Sequence, residues 1–312
     1  MKLNTNFFNI MYYQDLRDYP ANLRLFDKEG IPLIHFYATG EMVYNPTTVA
    51  LFALSNLQLY LSDSSQRAAT AWEKAVSWLI NNGIHTGTGF LLPLNFDHPF
   101  YHLKKGWLSA MTRGVAVSCF VRAFILTGNK VFLKVAHETS RPLMTEIKHG
   151  GVAYVDEDGI WLEEAPSNPP SHILNGFIYA VTGLFDLFCV SEDSKIFNIL
   201  EEAVLTLKKN IKKYDSGYWS FYQLNPALLA PMSYHMLHVQ QLSFLYEITE
   251  ENIFREYAAR FNTYMESQKN YLMSRIRGNM LYLNALFKMQ GVRAFPYITR
   301  RITEITANKI LD

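Results

Sequence analysis

The feature that most limits how this chain can fold is a pattern that occurs four times. An apolar helical run is followed by a short polar break and then by a second, amphipathic run. The first copy runs from Pro46 to Leu59, breaks at Ser62-Asp63-Ser64-Ser65 and resumes near Ala68. The second runs from Gly106 to Leu126, breaks at Thr127-Gly128-Asn129-Lys130 and resumes at Val131-Phe132. The third runs from Asn175 to Phe188, breaks at Val190-Ser191-Glu192-Asp193-Ser194 and resumes at Ile196-Phe197. The fourth runs from His235 to Tyr246, breaks at Thr249-Glu250-Glu251-Asn252 and resumes at Ile253-Phe254. Recurring units of this size mark a repeat architecture. Breaks this short make the two runs of a unit antiparallel neighbours. The second runs are the amphipathic ones: Ala258, Phe261 and Met265 recur at helical spacing with Arg255, Glu256 and Arg260 between them.

Between units the pattern changes to strand period. Gly87 to Leu94 is one insert. Gly150 to Val155, a turn at Asp156-Glu157-Asp158-Gly159 and Ile160-Trp161-Leu162 form a second, and Asp215 to Tyr222 a third. Four helix pairs joined by hairpins predict a mainly α fold, an (α/α) toroid that is either complete or incomplete, with short β-hairpin inserts at one rim. An open solenoid would show a more regular period and no aromatic hairpins. One catalytic domain over residues 1–312 is expected, with 1–30 as an N-terminal extension and 271–312 as closing C-terminal helices.

Composition narrows the partners. A formal net charge of +1 gives no electrostatic case for nucleic acid or an anionic membrane. No uninterrupted apolar run reaches the roughly 18 residues of a membrane span. Met1 to Phe8 is too polar and interrupted for a signal peptide. Cys119 and Cys189, inside apolar helical runs, are expected as buried free thiols, so a soluble, cytoplasmic protein is the expectation. The 19 Tyr and 5 Trp exceed what a core alone calls for and suit a sugar cleft, where a ring face stacks and a hydroxyl or indole N–H hydrogen-bonds.

The rim carries the candidate chemistry. Glu163 and Glu164 close the second hairpin, and strand alternation sends one towards the cleft and the other to solvent or a structural partner. A proline loop follows, and then His172 and Asn175 at the start of an inner helix; Ser171 reads as a cap and Asn175 as a group that fixes a sugar hydroxyl. In the aromatic hairpin, alternation puts Tyr218, Ser220 and Tyr222 on one face and Trp219 and Phe221 on the other. His235 and His238 are spaced i, i+3 without a third metal ligand nearby, so core pairing or substrate contact is expected and metal is not. Arg113 lies on an otherwise small and apolar helix face and needs an anionic partner, either Glu164 or a substrate carboxylate.

These segments carry a resemblance. Gly106-Trp107-Leu108-Ser109-Ala110-Met111, Glu163-Glu164-x-Pro166, Leu174-Asn175-Gly176-Phe177-Ile178-Tyr179 with Gly183-Leu184-Phe185-Asp186-Leu187, and Tyr234-His235-x-x-His238-x-Gln240-Gln241-Leu242 resemble, in order, the C-terminal domain of the D-glucuronyl C5-epimerases. The resemblance implies a compact form without the N-terminal β domains, membrane anchor and calcium site of the animal enzymes. It further implies a glucuronate-containing polysaccharide or oligosaccharide of the heparosan type as substrate, inversion at C5 to iduronate, no nucleotide cofactor and a homodimer. Glu164 matches the family's catalytic glutamate, and Tyr222 and Tyr234 match two tyrosines implicated in proton transfer. A family tyrosine directly after the glutamate is Ala165 here, and an arginine three residues beyond the Tyr222 position is Asn225. Trp107, Tyr218, His172, Asn175, His235, His238 and Arg113 are the expected substrate-binding groups, Arg113 as a carboxylate clamp.

Inversion needs a base on one face of C5 and a proton donor on the other, so Glu164 and Tyr234 are expected to divide those roles. A uronate lyase would begin with the same proton abstraction. A toroid glycoside hydrolase would need a second carboxylate such as Asp97 or Asp215. A glycan-binding protein would need no chemistry at all.

Overall fold

A computed structural model of the chain describes residues 1–36 and 38–290. A short helix, α1 (Tyr19–Asn22), precedes a small antiparallel sheet of β1 (Leu25–Phe26), β2 (Pro32–His35) and β3 (Met42–Val43). Four helix pairs follow: α2 (Pro46–Asp63) with α3 (Gln66–Asn82), α4 (Ala110–Thr127) with α5 (Lys130–Ser140), α6 (Leu174–Ser191) with α7 (Ser194–Asn210), and α8 (Met232–Thr249) with α9 (Asn252–Met265). Antiparallel hairpins separate them: β4 (Ile84–Thr86) and β5 (Gly89–Leu91), β6 (Ala153–Asp156) and β7 (Gly159–Leu162), β8 (Phe221–Leu224) and β9 (Ala227–Leu229). A last helix, α10 (Gln268–Gln290), ends the described chain, and the remainder of the segment expected as closing helices, residues 291–312, lies outside the described residues.

The polar breaks are four copies of one corner. Each inner helix ends on a residue in the left-handed conformation: Ser64 (φ 53°), Gly128 (φ 66°), Glu192 (φ 50°) and Glu250 (φ 57°). Each of these donates its N–H to the carbonyl four residues back, which satisfies an end-of-helix acceptor. The next residue is the N-cap of the outer helix, and in three of the four corners its side chain (Ser65, Asn129 or Asp193) accepts from a free N–H group of that helix.

Inner helices α4 and α6 meet at close range, and two glycines permit it. A Cβ on Gly114 would lie 2.1 Å from the Tyr179 carbonyl oxygen, and one on Gly183 would lie 2.3 Å from the Gly114 carbonyl oxygen. Both helices are long and apolar enough to cross a membrane by length and composition, more so than the sequence pattern suggested, but 72% and 78% of those stretches are buried inside the fold. Cys119 is a buried free thiol, whereas Cys189 is only half-buried.

The N-terminal segment runs along the middle of the ring and touches all four inner helices. Asn4 N–H donates to Ile248 O on α8 (2.8 Å), and Leu16 N–H donates to Gln58 Oε1 on α2 (2.8 Å). Arg122 of α4 and Asp186 of α6 form a fully buried ion pair at 2.6 Å. The guanidinium also donates to the carbonyls of Asn9 and Ile10, and the Tyr13 hydroxyl donates to Asp186. This end of the ring is therefore plugged, and the hairpin end stays open.

Two inserts differ from the sequence reading. The first hairpin is Ile84–Leu91 turning at Gly87-Thr88, rather than Gly87 to Leu94. In the third, residues 215–220 form a tight turn, with Gly217 at φ 84°, and strand geometry begins only at Phe221. The alternation expected for Tyr218, Trp219 and Ser220 fails for that reason. Replacing Gly183 with Ala should lower unfolding stability by about 1–3 kcal/mol, because a backbone carbonyl blocks the new methyl. Urea denaturation measures this, and an unchanged midpoint would contradict the close crossing.

Candidate active site

A cleft of about 1390 Å³ opens at the N-terminal ends of the inner helices. Thr47 and Thr48 of α2 line it with the α2 cap Asn45, Met111 of α4 with the α4 cap Ser109, and Ser233 and Tyr234 come from α8, while Glu164 and Ala165 enter from the loop after β7. Aromatic rings make up much of the remaining wall, among them Tyr19, Phe36, Phe96, Trp107 and Tyr179.

The two adjacent glutamates are sorted as strand alternation requires. Glu163 continues the β6–β7 ladder, its N–H donating to Val152 O (2.9 Å) while its carbonyl accepts from Ala110 N–H at the start of α4 (3.0 Å). With that backbone fixed, its side chain turns inward and is 1% exposed. Its carboxylate accepts from Ser171 Oγ (3.1 Å) and His172 N–H (3.1 Å), and meets His172 Nδ1 at 2.7 Å. These bonds hold His172 in the left-handed region (φ 51°) and fix the proline loop. Ser171, expected as a helix cap, serves this cluster instead; α6 starts after Ile173 with no side-chain cap.

Glu164 turns the opposite way and lines the cleft. Asn175 Nδ2 donates to its Oε2 at 3.4 Å, and the Tyr222 hydroxyl donates to the same carboxyl group. A Cβ on Gly176 would lie 2.1 Å from Oε2, so only glycine leaves room for this side chain on the α6 side. Desolvation pushes the Glu164 carboxyl up to about 7; the nearby charge of Glu163 adds to the rise, and the bonds from Tyr222 and Asn175 oppose it. Tyr222 and Tyr234 pack edge to face, centroids 5.0 Å apart. Although Tyr234 is 37% exposed, desolvation pushes its phenol up to about 12, with the charge of Glu164 adding to the shift.

Of the residues singled out in sequence, Glu164, Tyr222, Tyr234 and Trp107 line the cleft together. Asn175 stands behind Glu164, fully buried, and orients it rather than facing a sugar. His172 belongs to the Glu163 cluster, with its ring 4.1 Å from that of Trp161. His235 and His238 are buried and share one hydroxyl: Ser220 Oγ lies 2.7 Å from Nδ1 of His235 and 2.8 Å from Nδ1 of His238. Trp219 stacks on His235 at 3.8 Å, and burial pushes both imidazoles down, to about 4 and about 3. Tyr218 lies beneath the Arg277 guanidinium, outside the cleft.

Arg113 corrects the clamp expectation most clearly. It is fully buried away from the cleft, and Nη1 donates to the Phe90 carbonyl (2.8 Å) rather than to Glu164 or any carboxylate. Burial pushes its guanidinium down to about 9. Ala165 packs into a small apolar cluster with Phe100, Tyr101 and, from α10, Ala285 and Leu286. Asn225 Nδ2 donates to the Pro170 carbonyl and so ties the third hairpin to the proline loop.

One wall of the cleft was not expected from the sequence. Tyr271, Ser274, Arg275, Gly278, Asn279 and Tyr282 of α10 line the cleft at helical spacing. That alternation of polar and aromatic residues at i, i+3, i+4 was the available signal. Among the described residues lining the cleft, Glu164 is the only carboxylate. Asp97 instead pairs with Lys104 (2.9 Å), and Asp215 pairs with Arg260 (3.1 Å).

The open cleft at the rim of the paired helices thus holds one desolvated carboxylate, Glu164, beside the Tyr222 and Tyr234 phenols. The family model described as the D-glucuronyl C5-epimerase C-terminus matches residues 86–263, and the chain belongs to that family. It is 28% identical over 224 residues to a D-glucuronyl C5-epimerase of Caenorhabditis elegans, covering 65% of this chain and 36% of that protein. It is also 28% identical over 169 residues to an uncharacterized protein of Methanocaldococcus jannaschii, covering 52% of this chain and 54% of that one. The match thus spans roughly a third to a half of these relatives' lengths. Among solved structures, a glycoside hydrolase family 76 (mannosidase) protein of Bacteroides thetaiotaomicron aligns with a TM-score of 0.42 at 11% identity, over 70% of this chain and 60% of that one.

The raised carboxyl gives a stability prediction. A folded-state value above the ordinary one makes ionisation of Glu164 unfavourable to the fold, so stability present below pH 4.5 is lost as pH rises through about 7. Glu164→Gln should match the wild type in urea denaturation at pH 4 and exceed it at pH 8 by on the order of 2–3 kcal/mol. Equal stability at pH 8 would contradict the desolvated environment.

Proposed function

We propose that the chain is a uronate C5-epimerase that converts D-glucuronate to L-iduronate units in a heparosan-type polysaccharide. The observation that carries this reading is Glu164, the one cleft-lining carboxylate among the described residues, held at about 7 beside the Tyr222 and Tyr234 phenols. A general base works best with a pKa near the operating pH. A phenol at about 12 stays protonated and is suited to donate.

In this mechanism the Glu164 carboxylate removes the C5 proton. The electron pair moves into the adjacent carboxylate as an enediolate-like dianion. The Tyr234 hydroxyl then delivers its proton to the other face of C5. Tyr234 regains a proton from solvent, Glu164 releases one, and the hydrogen bond from Tyr222 steadies the carboxylate meanwhile. The same groups would serve the reverse direction with their roles exchanged.

A hydrolase reading lacks support, because two carboxylates must flank the scissile bond and Asp97 and Asp215 are engaged elsewhere. A lyase would share the first step and differ in expelling the C4 substituent.

The test is incubation with N-acetylheparosan, followed by NMR for iduronate. The wild type should form it without a rise in ultraviolet absorbance from unsaturated product. Glu164→Gln and Tyr234→Phe should each lose about 100-fold or more, as expected for an acid–base group. No iduronate from a folded wild type would reject the reading, and a rise in absorbance would favour the lyase.

A further inference from the structure

We infer that Arg275, on α10, is the residue that recognises a substrate carboxylate in the cleft, and so selects uronate polymers over neutral ones. The inference rests on the epimerase reading and adds a residue to it. A cleft that binds a polyanion needs a cation, and the two positions expected to supply one do not. Arg113 is sealed against Phe90, and the family's arginine position holds Asn225. Among the described residues lining the cleft, Arg275 is the only lysine or arginine.

Its surroundings suit the task. Among the described residues it forms no ion pair, whereas Arg260 is bound to Asp215 and Arg122 to Asp186. Its guanidinium carbon lies 5.9 Å from the centre of the Tyr271 ring, one turn earlier on the same cleft-facing stripe. The planar guanidinium fork matches a carboxylate with two parallel hydrogen bonds. The helix that carries it is anchored. Tyr282 stacks on Phe100 at 6.0 Å, and a Cβ on Gly278 would touch the Leu229 side chain at 3.8 Å, so α10 seats directly on β9. Arg275 stands exposed on the wall, while Glu164 sits deeper, ahead of α6. It is therefore a recognition residue, and its loss should act on binding. This wall lies beyond residue 263, where the family match ends.

The probes are a heparosan-derived oligosaccharide and the same oligosaccharide with its carboxyl groups reduced, titrated calorimetrically against the full chain at low salt. The wild type should prefer the uronate form by about tenfold or more, as expected for a charge-assisted pair. Arg275→Ala should bind both forms alike, with affinity for the reduced form unchanged, and Arg275→Lys should recover part of the preference. In turnover, Arg275→Ala should raise KM by about tenfold while kcat changes less than about threefold. A wild-type preference retained in Arg275→Ala would overturn the assignment. Equal loss of affinity for both forms would also overturn it, because it would make Arg275 a structural part of the wall. A wild type that neither exchanges the C5 proton nor prefers the uronate form would instead overturn the epimerase reading.

Discussion

The rim depends on how closely α6 can approach its neighbours, and glycines set that distance. Gly183 and Gly114 let α6 press against α4 until backbone meets backbone. In the first turn of α6, Gly176 leaves the space that the Glu164 carboxylate fills. Bulk at any of these positions would move the helix start that fixes Asn175, and Asn175 in turn holds Glu164. Close packing transmits such strain rather than absorbing it.

The second constraint is the division of labour between two neighbouring carboxylates. Glu163 is surrounded by donors from Ser171 and His172 and locks the proline loop. Glu164 receives a long bond from Asn175 and one from Tyr222, in a site desolvated enough to hold it near 7. Identical side chains one residue apart thus acquire different surroundings: Glu163 is tied into the loop, whereas desolvation sets the behaviour of Glu164 in the cleft. The buried Arg122–Asp186 pair at the opposite end keeps the N-terminal segment in the ring and leaves the hairpin end as the opening.

Much of this was legible in the sequence wherever local pattern decides structure. The four breaks read correctly as corners because left-handed and capping residues act within a few positions. The opposite orientation of Glu163 and Glu164 followed from strand period. Tyr222 and Tyr234 were placed by resemblance, not by pattern. What failed were inferences about long-range surroundings. Arg113 was given an anionic partner by an argument from burial cost, but a backbone carbonyl 23 positions earlier meets it instead. For His235 and His238 the sequence left core pairing and substrate contact both open, and the structure buries both rings around Ser220, which a turn that mimics a strand in sequence brings in. The α10 wall was missed because its polar stripe resembles any solvated helix until the fold sets it against the cleft.

The central claim is that Glu164, held near 7 by desolvation, is the group that takes the C5 proton. The pH dependence of deuterium uptake at C5 of the polymer in deuterated water tests it most directly. The account predicts that kcat/KM for exchange climbs with pH along a limb centred near 7 and that Glu164→Gln abolishes exchange at every pH. A limb at the ordinary carboxylate value, or exchange that survives in Glu164→Gln, would contradict it.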